Sequence, residues 1–376
     1  MKSKSLILLI LVLAVIGGLA YLQRKPDQRE TASGPDERGK LLDFDMNDVN
    51  TIIIDTPSST QNVTLARVAK KWVVANRSNY PANYDDVSAS LRKLALLKQG
   101  EEIRGGTDYL EEFGLAPTTN SAAGDSLLVL SFFGKAGHVF GDLALGAPRL
   151  AGGTATSPGF PQGQYVRFKD GPVYVIDELI TEIQRTPADW LDKALLDIPK
   201  TDIAHVVRTL PDGSSYEVLQ STNGTYTVPG LGAEEEVKTD GAALVFTCLS
   251  GLRIADVASL TNTVEGMGFD KAEQYQALLT NGILYSVAIG QSNPALGGRY
   301  AKITVFYDAP ETEGLGTEQV EALLKVAKHA EAEDQRLSKW VFILPESTCM
   351  NLALPREQVA GPKSPVTAPG TTPSSG

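Results

Sequence analysis

The chain repeats itself. At an offset of 154 positions, the distance from Asp48 to Asp202, two halves fall into register without a gap. Asp48-Val49 meets Asp202-Ile203, Pro57 meets Pro211, Trp72 meets Tyr226, Val74 meets Val228, Ile103 meets Val257, and Gly114-Leu115 meets Gly268-Phe269. Few pairs are identical, but apolar meets apolar and turn meets turn over about seventy residues, the mark of a duplicated module. The duplication implies two similar units packed together and names no reaction.

The local patterns repeat in the same order. Val49 to Ile54, Val63 to Val68 and Trp72 to Val74 read as three strands of a meander, followed by a helix from Tyr84 to Lys98 with Val87, Leu91 and Leu94 on one face. In the second copy, Ile203 to Arg208, Tyr216 to Leu219 and Tyr226 to Val228 are the strands. The acid triplet Glu234-Glu235-Glu236 reads as the charged start of a helix running through Ala242 to Leu252. Further strands close each copy: Leu127 to Phe133, Val139 to Leu145, Tyr165 to Phe168 and Val173 to Ile176, matched by Gln276 to Thr280, Ile283 to Ile289, Tyr300 to Val305 and Trp340 to Ile343.

The expected fold class is therefore α+β, as two tandem β-rich repeats with one main helix each, at 45–198 and 199–352. A helix inserted at 317–337 carries Val320, Leu323, Leu324 and Ala327 as an apolar stripe. Ahead of the repeats, 1–4 is a basic start, and 5–22 (SLILLILVLAVIGGLAYL) is uncharged and close to bilayer thickness as a helix. It reads as a single transmembrane signal anchor, with a cleaved signal peptide as the alternative. Segment 23–44 reads as a flexible linker. The Pro, Ser, Thr and Gly content of 353–376 reads as a disordered tail.

Net charge is −11, which argues against a nucleic-acid partner, since that needs a basic footprint. With two cysteines, Cys248 and Cys349, there is no disulfide framework. Cys248 reads as a small buried hydrophobe, with pairing to Cys349 the alternative in an oxidising compartment. His138, His205 and His329 lack partners at metal-ligand spacing, and no zinc-protease, serine-hydrolase, phosphate-loop or dinucleotide motif is present. No catalytic, cofactor-binding or metal residues follow from the sequence.

The two copies differ most at Gly146 to Gly163, which reads as a long Gly/Pro-rich loop with Phe160 between Gly159 and Pro161. Loops of that length are functional or mobile. Phe160, Arg149 and Gln164 are the candidate partner contacts.

One more layer comes from the arrangement of Trp72-Val73-Val74, Tyr80-Pro81-Ala82, Phe113-Gly114-Leu115, Leu143-Ala144-Leu145-Gly146, Gln164-Tyr165-Val166-Arg167, Val173-Tyr174-Val175-Ile176 and Asp189-Trp190-Leu191-Asp192-Lys193. This layout resembles the bacterial family catalogued as domain of unknown function 4340, from about residue 45 to 350. The resemblance implies a membrane-anchored extracytoplasmic protein that partners ABC-type permeases, similar to the auxiliary component of gliding-motility-type ABC systems. It supplies no catalytic residues. The leading expectation is a non-enzymatic accessory or binding subunit of an ABC-type transport or envelope complex. It would sit single-pass in the bacterial cytoplasmic membrane, its soluble part on the periplasmic side. An envelope hydrolase or small-ligand binding domain is the alternative, and a stand-alone structural envelope protein a third.

Overall fold

The computed structural model describes residues 38–56, 62–116, 127–152, 159–258, 265–311 and 314–363. Antiparallel sheet dominates it. The first copy contributes β1 (Thr51–Asp55), β2 (Val63–Val68), β3 (Lys71–Val74), β4 (Tyr80–Pro81), helix α1 (Tyr84–Ala95), β5 (Glu101–Glu102), β6 (Leu128–Phe133), β7 (Val139–Ala151), β8 (Phe160–Phe168) and β9 (Val173–Ile176). Its nine strands form one sheet in the order β4-β3-β2-β1-β6-β7-β8-β9-β5.

After β10 (Ala194–Leu196), the second copy follows with β11 (Ile203–Thr209), β12 (Ser215–Gln220), β13 (Tyr226–Thr227), β14 (Glu235–Val237), helix α2 (Thr239–Thr247), β15 (Leu252–Arg253), β16 (Asp256–Val257), β17 (Glu273–Leu279), β18 (Ile283–Asn293) and β19 (Gly298–Tyr307). Helix α3 (Thr317–Leu337), β20 (Phe342–Pro345), α4 (Glu346–Leu352), α5 (Arg356–Val359) and β21 (Ala360–Pro362) complete it. The eight-stranded sheet runs β13-β12-β11-β17-β18-β19-β20-β16. With β11 set against β1, this is the strand order of the first sheet without β4. Two further two-stranded sheets pair β10 with β15 and β14 with β21.

The α+β expectation with one main helix per copy and a membrane-spanning helix is corrected accordingly. Helices are few, and the second copy carries four of them among the described residues. Period-two alternation fills most of each copy. The helical pattern fills only short stretches such as the 12 residues of α1 and the 9 of α2. No helix among the described residues is long and apolar enough to cross a membrane. The segment 5–22, on which the spanning helix was placed, lies outside the described residues.

Three boundaries also move. The linker expected to reach residue 44 is packed from its end: Leu41 and Leu42 are buried, and the Leu41 N–H donates to Leu97 O at 2.8 Å. The tail expected from 353 is folded as far as Lys363, because α5 and β21 clasp the second copy. The acid triplet does not begin a helix. Glu235 and Glu236 lie in β14, paired with Pro362 and Gly361 of β21, and α2 starts only at Thr239.

Each helix reflects its cover. In α1, Asn83 caps the first turn by accepting from the N–H groups of Asp85 and Asp86, and Asp85-Asp86 and Arg92-Lys93 complement the helix dipole. Val87 and Leu94 face the core, and Tyr84 is left in solvent. In α2, Ala242, Val245 and Phe246 are fully buried, because the C-terminal segment closes over its outer side. The apolar run Ala242–Phe246 occupies both sides of the helix and so needs cover on both.

The two copies share one hydrophobic core. At their seam, the Tyr80 ring meets Trp340 edge-on at 5.0 Å. Arg77 reaches across to grip Asp256 with Nε at 2.6 Å and Nη2 at 2.8 Å. The segment between the copies runs back along β4: the Asn83 N–H donates to Trp190 O at 2.8 Å and the Asp192 N–H to Pro81 O at 3.0 Å. Trp190 itself is buried, its indole N–H donating to Gln184 O at 3.0 Å.

Candidate docking site

The stretch from 146 to 163, read from sequence as a loop, is mostly strand among its described residues. β7 continues to Ala151 and β8 begins at Phe160, with Leu150 opposite Pro161 and Ala151 opposite Phe160. The neighbouring strands stop earlier. β6 pairs with β7 only as far as Leu145, and β9 pairs with β8 only from Gln164 onward. The far end of β7 and β8 is therefore a two-stranded ribbon reaching past the sheet.

Its base is fixed by packing that leaves no room for a side chain at Gly146, where a Cβ would lie 2.3 Å from Phe113 O. The Ala147 N–H donates to that same carbonyl at 2.8 Å. Gln164 is buried beside it, its Nε2 donating to Gly146 O at 3.0 Å and its Oε1 accepting from the Ile180 N–H at 3.0 Å. Its amide thus ties the root of the ribbon to the chain beyond β9. Phe113 stacks on Tyr165 at 4.4 Å, closing the same corner.

Farther out, the ribbon is exposed. Arg149 pairs with Glu101 at 2.8 Å on the surface, and that hydrogen bond raises the guanidinium pKa above its ordinary value. Phe160 is 79% exposed and Leu150 52%. Directly opposed residues of an antiparallel pair share a face, so Leu150 lies with Pro161 on one face and Phe160 with Ala151 on the other. The structure thus brings Phe160 and Arg149 to the exposed ribbon and places the Gln164 side chain inside its root. Leu150 and Pro161 escaped the sequence reading because the glycines and prolines masked the strand; the alternation of Pro148 and Leu150 was the available signal.

Among the described residues, no group of three or more His, Cys, Asp or Glu side chains is placed to hold a metal. His138 packs edge-on against Phe140, His205 lies 2.8 Å from Glu217, and His329 is exposed on α3. Both cysteines are free and buried. Burial pushes the Cys248 thiol up to about 12 and the Cys349 thiol up to about 11, so neither is a nucleophile at neutral pH.

A family model described as a domain of unknown function, DUF4340, matches residues 72–277, more than half of the chain. The chain belongs to the DUF4340 family. The matched span runs from β3 to β17, through the first sheet and into the second. Four residues of the matched span occupy structural positions: Tyr80 at the seam, Phe113 and Gln164 at the ribbon root, and Trp190 under α1. No curated protein and no solved structure matches the chain significantly.

Proposed function

We propose that this DUF4340 chain is a non-enzymatic accessory or binding subunit of an envelope complex on the extracytoplasmic side of the bacterial cytoplasmic membrane. Its partner on this reading is a protein such as an ABC-type permease, as in gliding-motility-type ABC systems. The observation that supports the reading is the exposed apolar ribbon. Phe160 and Leu150 lie on a two-stranded extension whose root is rigidly fixed and whose described end reaches past the flanking strands β6 and β9. Phe160 on one face of the ribbon and Leu150 on the other offer apolar surface to a partner that grips the extension from both sides, and an aromatic anchor is the residue type that concentrates interface energy.

The test is a photo-crosslinking residue at position 160 in the full-length chain, followed by purification from detergent-solubilised membranes. Crosslinks to a permease or its ATPase are the expected result, with loss of capture when Phe160 and Leu150 are both changed to Ser. Capture that is unchanged in that double variant overturns the ribbon as the contact. Absence of any envelope protein among the crosslinks, together with hydrolytic turnover by the purified chain, overturns the subunit reading itself.

A further inference from the structure

Each copy carries a recess at the same place, where the segment leaving its helix meets the end of the sheet's last long strand. In the first copy, residues 96–100 and 176–178 line a space of about 290 Å³. In the second, residues 247–248 and 250–253, Pro345, Ser347, Thr348 and Asn351 line one of about 350 Å³. The 154-residue offset sets Leu96 to Gln99 on Ser250 to Arg253. The strand ends correspond through a shared close approach: a Cβ on Gly163 would lie 2.3 Å from Ile176 O, and one on Gly298 would lie 2.0 Å from Leu344 O. Asp177 thereby corresponds to Pro345.

The two recesses treat their charges differently. In the first, Arg38 pairs with Asp177 at 2.8 Å and Lys93 pairs with Glu178, so the wall neutralises itself. In the second, proline stands at the aspartate's position, and Glu346, the counterpart of Glu178, is not part of the lining. Arg253 makes no ion pair or side-chain hydrogen bond among the described residues, and neither do the hydroxyls of Ser347 and Thr348 or the amide of Asn351. The carboxylate of Asp197 is turned to its own turn, its Oδ1 accepting from the Gly251 N–H at 2.9 Å and the Ser250 hydroxyl at 3.3 Å, and it makes no ion pair with Arg253. Cys248 forms part of the wall, and burial keeps its thiol neutral, so it does not repel an anion.

We propose that this recess binds a small phosphate monoester, with Arg253 meeting the phosphate and Ser347, Thr348 and Asn351 completing its hydrogen bonds. An unneutralised guanidinium offers a planar fork of donors suited to an oxyanion. Two hydroxyls and an amide beside it supply more donors than the two oxygens of a carboxylate would use, and suit the three terminal oxygens of a phosphate. A space of about 350 Å³ falls within the ordinary range for small-ligand sites, roughly 300–1,000 Å³. The site lies on the second copy, away from the ribbon, and stands independently of the docking role.

The test uses the full-length chain and glycerol 3-phosphate as the probe, with glycerol as the unphosphorylated control. Calorimetric titration measures affinity, and hydrogen exchange locates the site. The expected result is saturable binding with protection at 247–253 and 345–351, weakened about tenfold or more in Arg253→Gln through loss of a charge-assisted contact. Asn351→Ala weakens it less, and Arg38→Gln in the first recess leaves it unchanged. Each variant is checked for an unaltered melting curve, and the Asn351→Ala result decides if Arg253→Gln fails that check. The proposal is overturned by no saturable binding at millimolar probe, by equal binding of glycerol, by full affinity in Arg253→Gln or in Asn351→Ala, or by protection elsewhere.

Discussion

Glu235 stands in β14 with both carboxylate oxygens held by Arg356, at 2.7 and 2.8 Å. The Arg356 hydrogen bonds, followed by the Gly232 N–H, lower its pKa to about 2 from the ordinary 4.5. A carboxylate whose folded pKa is depressed contributes stability above its unfolded pKa and loses it as pH falls through the folded value. The clasp made by 354–363 is therefore expected to loosen between about pH 4.5 and pH 2, seen as faster hydrogen exchange in that segment. In Arg356→Gln the segment exchanges faster at neutral pH and the acid dependence flattens; an unchanged profile would contradict the assignment. From sequence alone, the triplet around Glu235 looked like helix-start charge, because the arginine that determines its role is 121 positions away. Arg208 illustrates the same dependence on distant partners. It is fully buried, with Nη2 3.2 Å from Glu273, which also takes Arg299 Nη2 at 3.0 Å. The first copy has Ile54 and Leu128 at the positions of Arg208 and Glu273. One fold thus accommodates apolar packing in one copy and a partly buried ion cluster in the other.

At the level of elements, the long strands β7 and β18 carry a repeated device. Gly146 in β7 and Gly290 in β18 each lie under a crossing segment: a Cβ on the first would be 2.3 Å from Phe113 O, and on the second 2.2 Å from Met267 O. The following N–H donates to the same carbonyl in both, from Ala147 at 2.8 Å and from Gln291 at 2.9 Å. Alanine at either position forces two backbones apart. Gly146→Ala and Gly290→Ala are each expected to cost about 1–3 kcal/mol by overpacking, measured by chemical denaturation; a cost near zero would show that the crossing segment yields. From sequence the two strands are expected to stop at Leu145 and Ile289, whereas they run on through the glycines to Ala151 and Asn293, and the segment that crosses them is not legible. Helix α3 answers a different need. β20 pairs with β19 only at Gly298–Ala301, and Asp334 of α3 accepts the Val305 N–H at 2.9 Å along the remainder. The inserted helix covers an edge that would otherwise be left to pair with another chain.

Across the whole molecule, the seam decides whether the two copies behave as one body. Arg77 and Asp256 are the buried ion pair there, with side chains only 12% and 4% exposed. Removing one partner strands a charge in the interior. Arg77→Ala and Asp256→Ala are each expected to cost about 3–5 kcal/mol. The Arg77→Ala/Asp256→Ala double variant should cost less than the sum, since the coupling between contacting groups is then counted once. Because one core spans both sheets, the full chain should unfold in a single calorimetric transition. Two resolved transitions, or purely additive costs in the cycle, would show that the seam does not couple the copies.

The periodicity of apolar residues and the placement of turns are local properties, so the sequence alone determined where most strands lie, that they come in two sets whose first part shares one offset, and that α1 would be amphipathic. Tertiary structure alone decided which charges are paired, that the C-terminal segment folds back over α2, that the ribbon projects past its sheet, and that one recess neutralises itself and the other does not. Each of these depends on contacts between residues far apart in the chain, and no short-range pattern encodes such a distance.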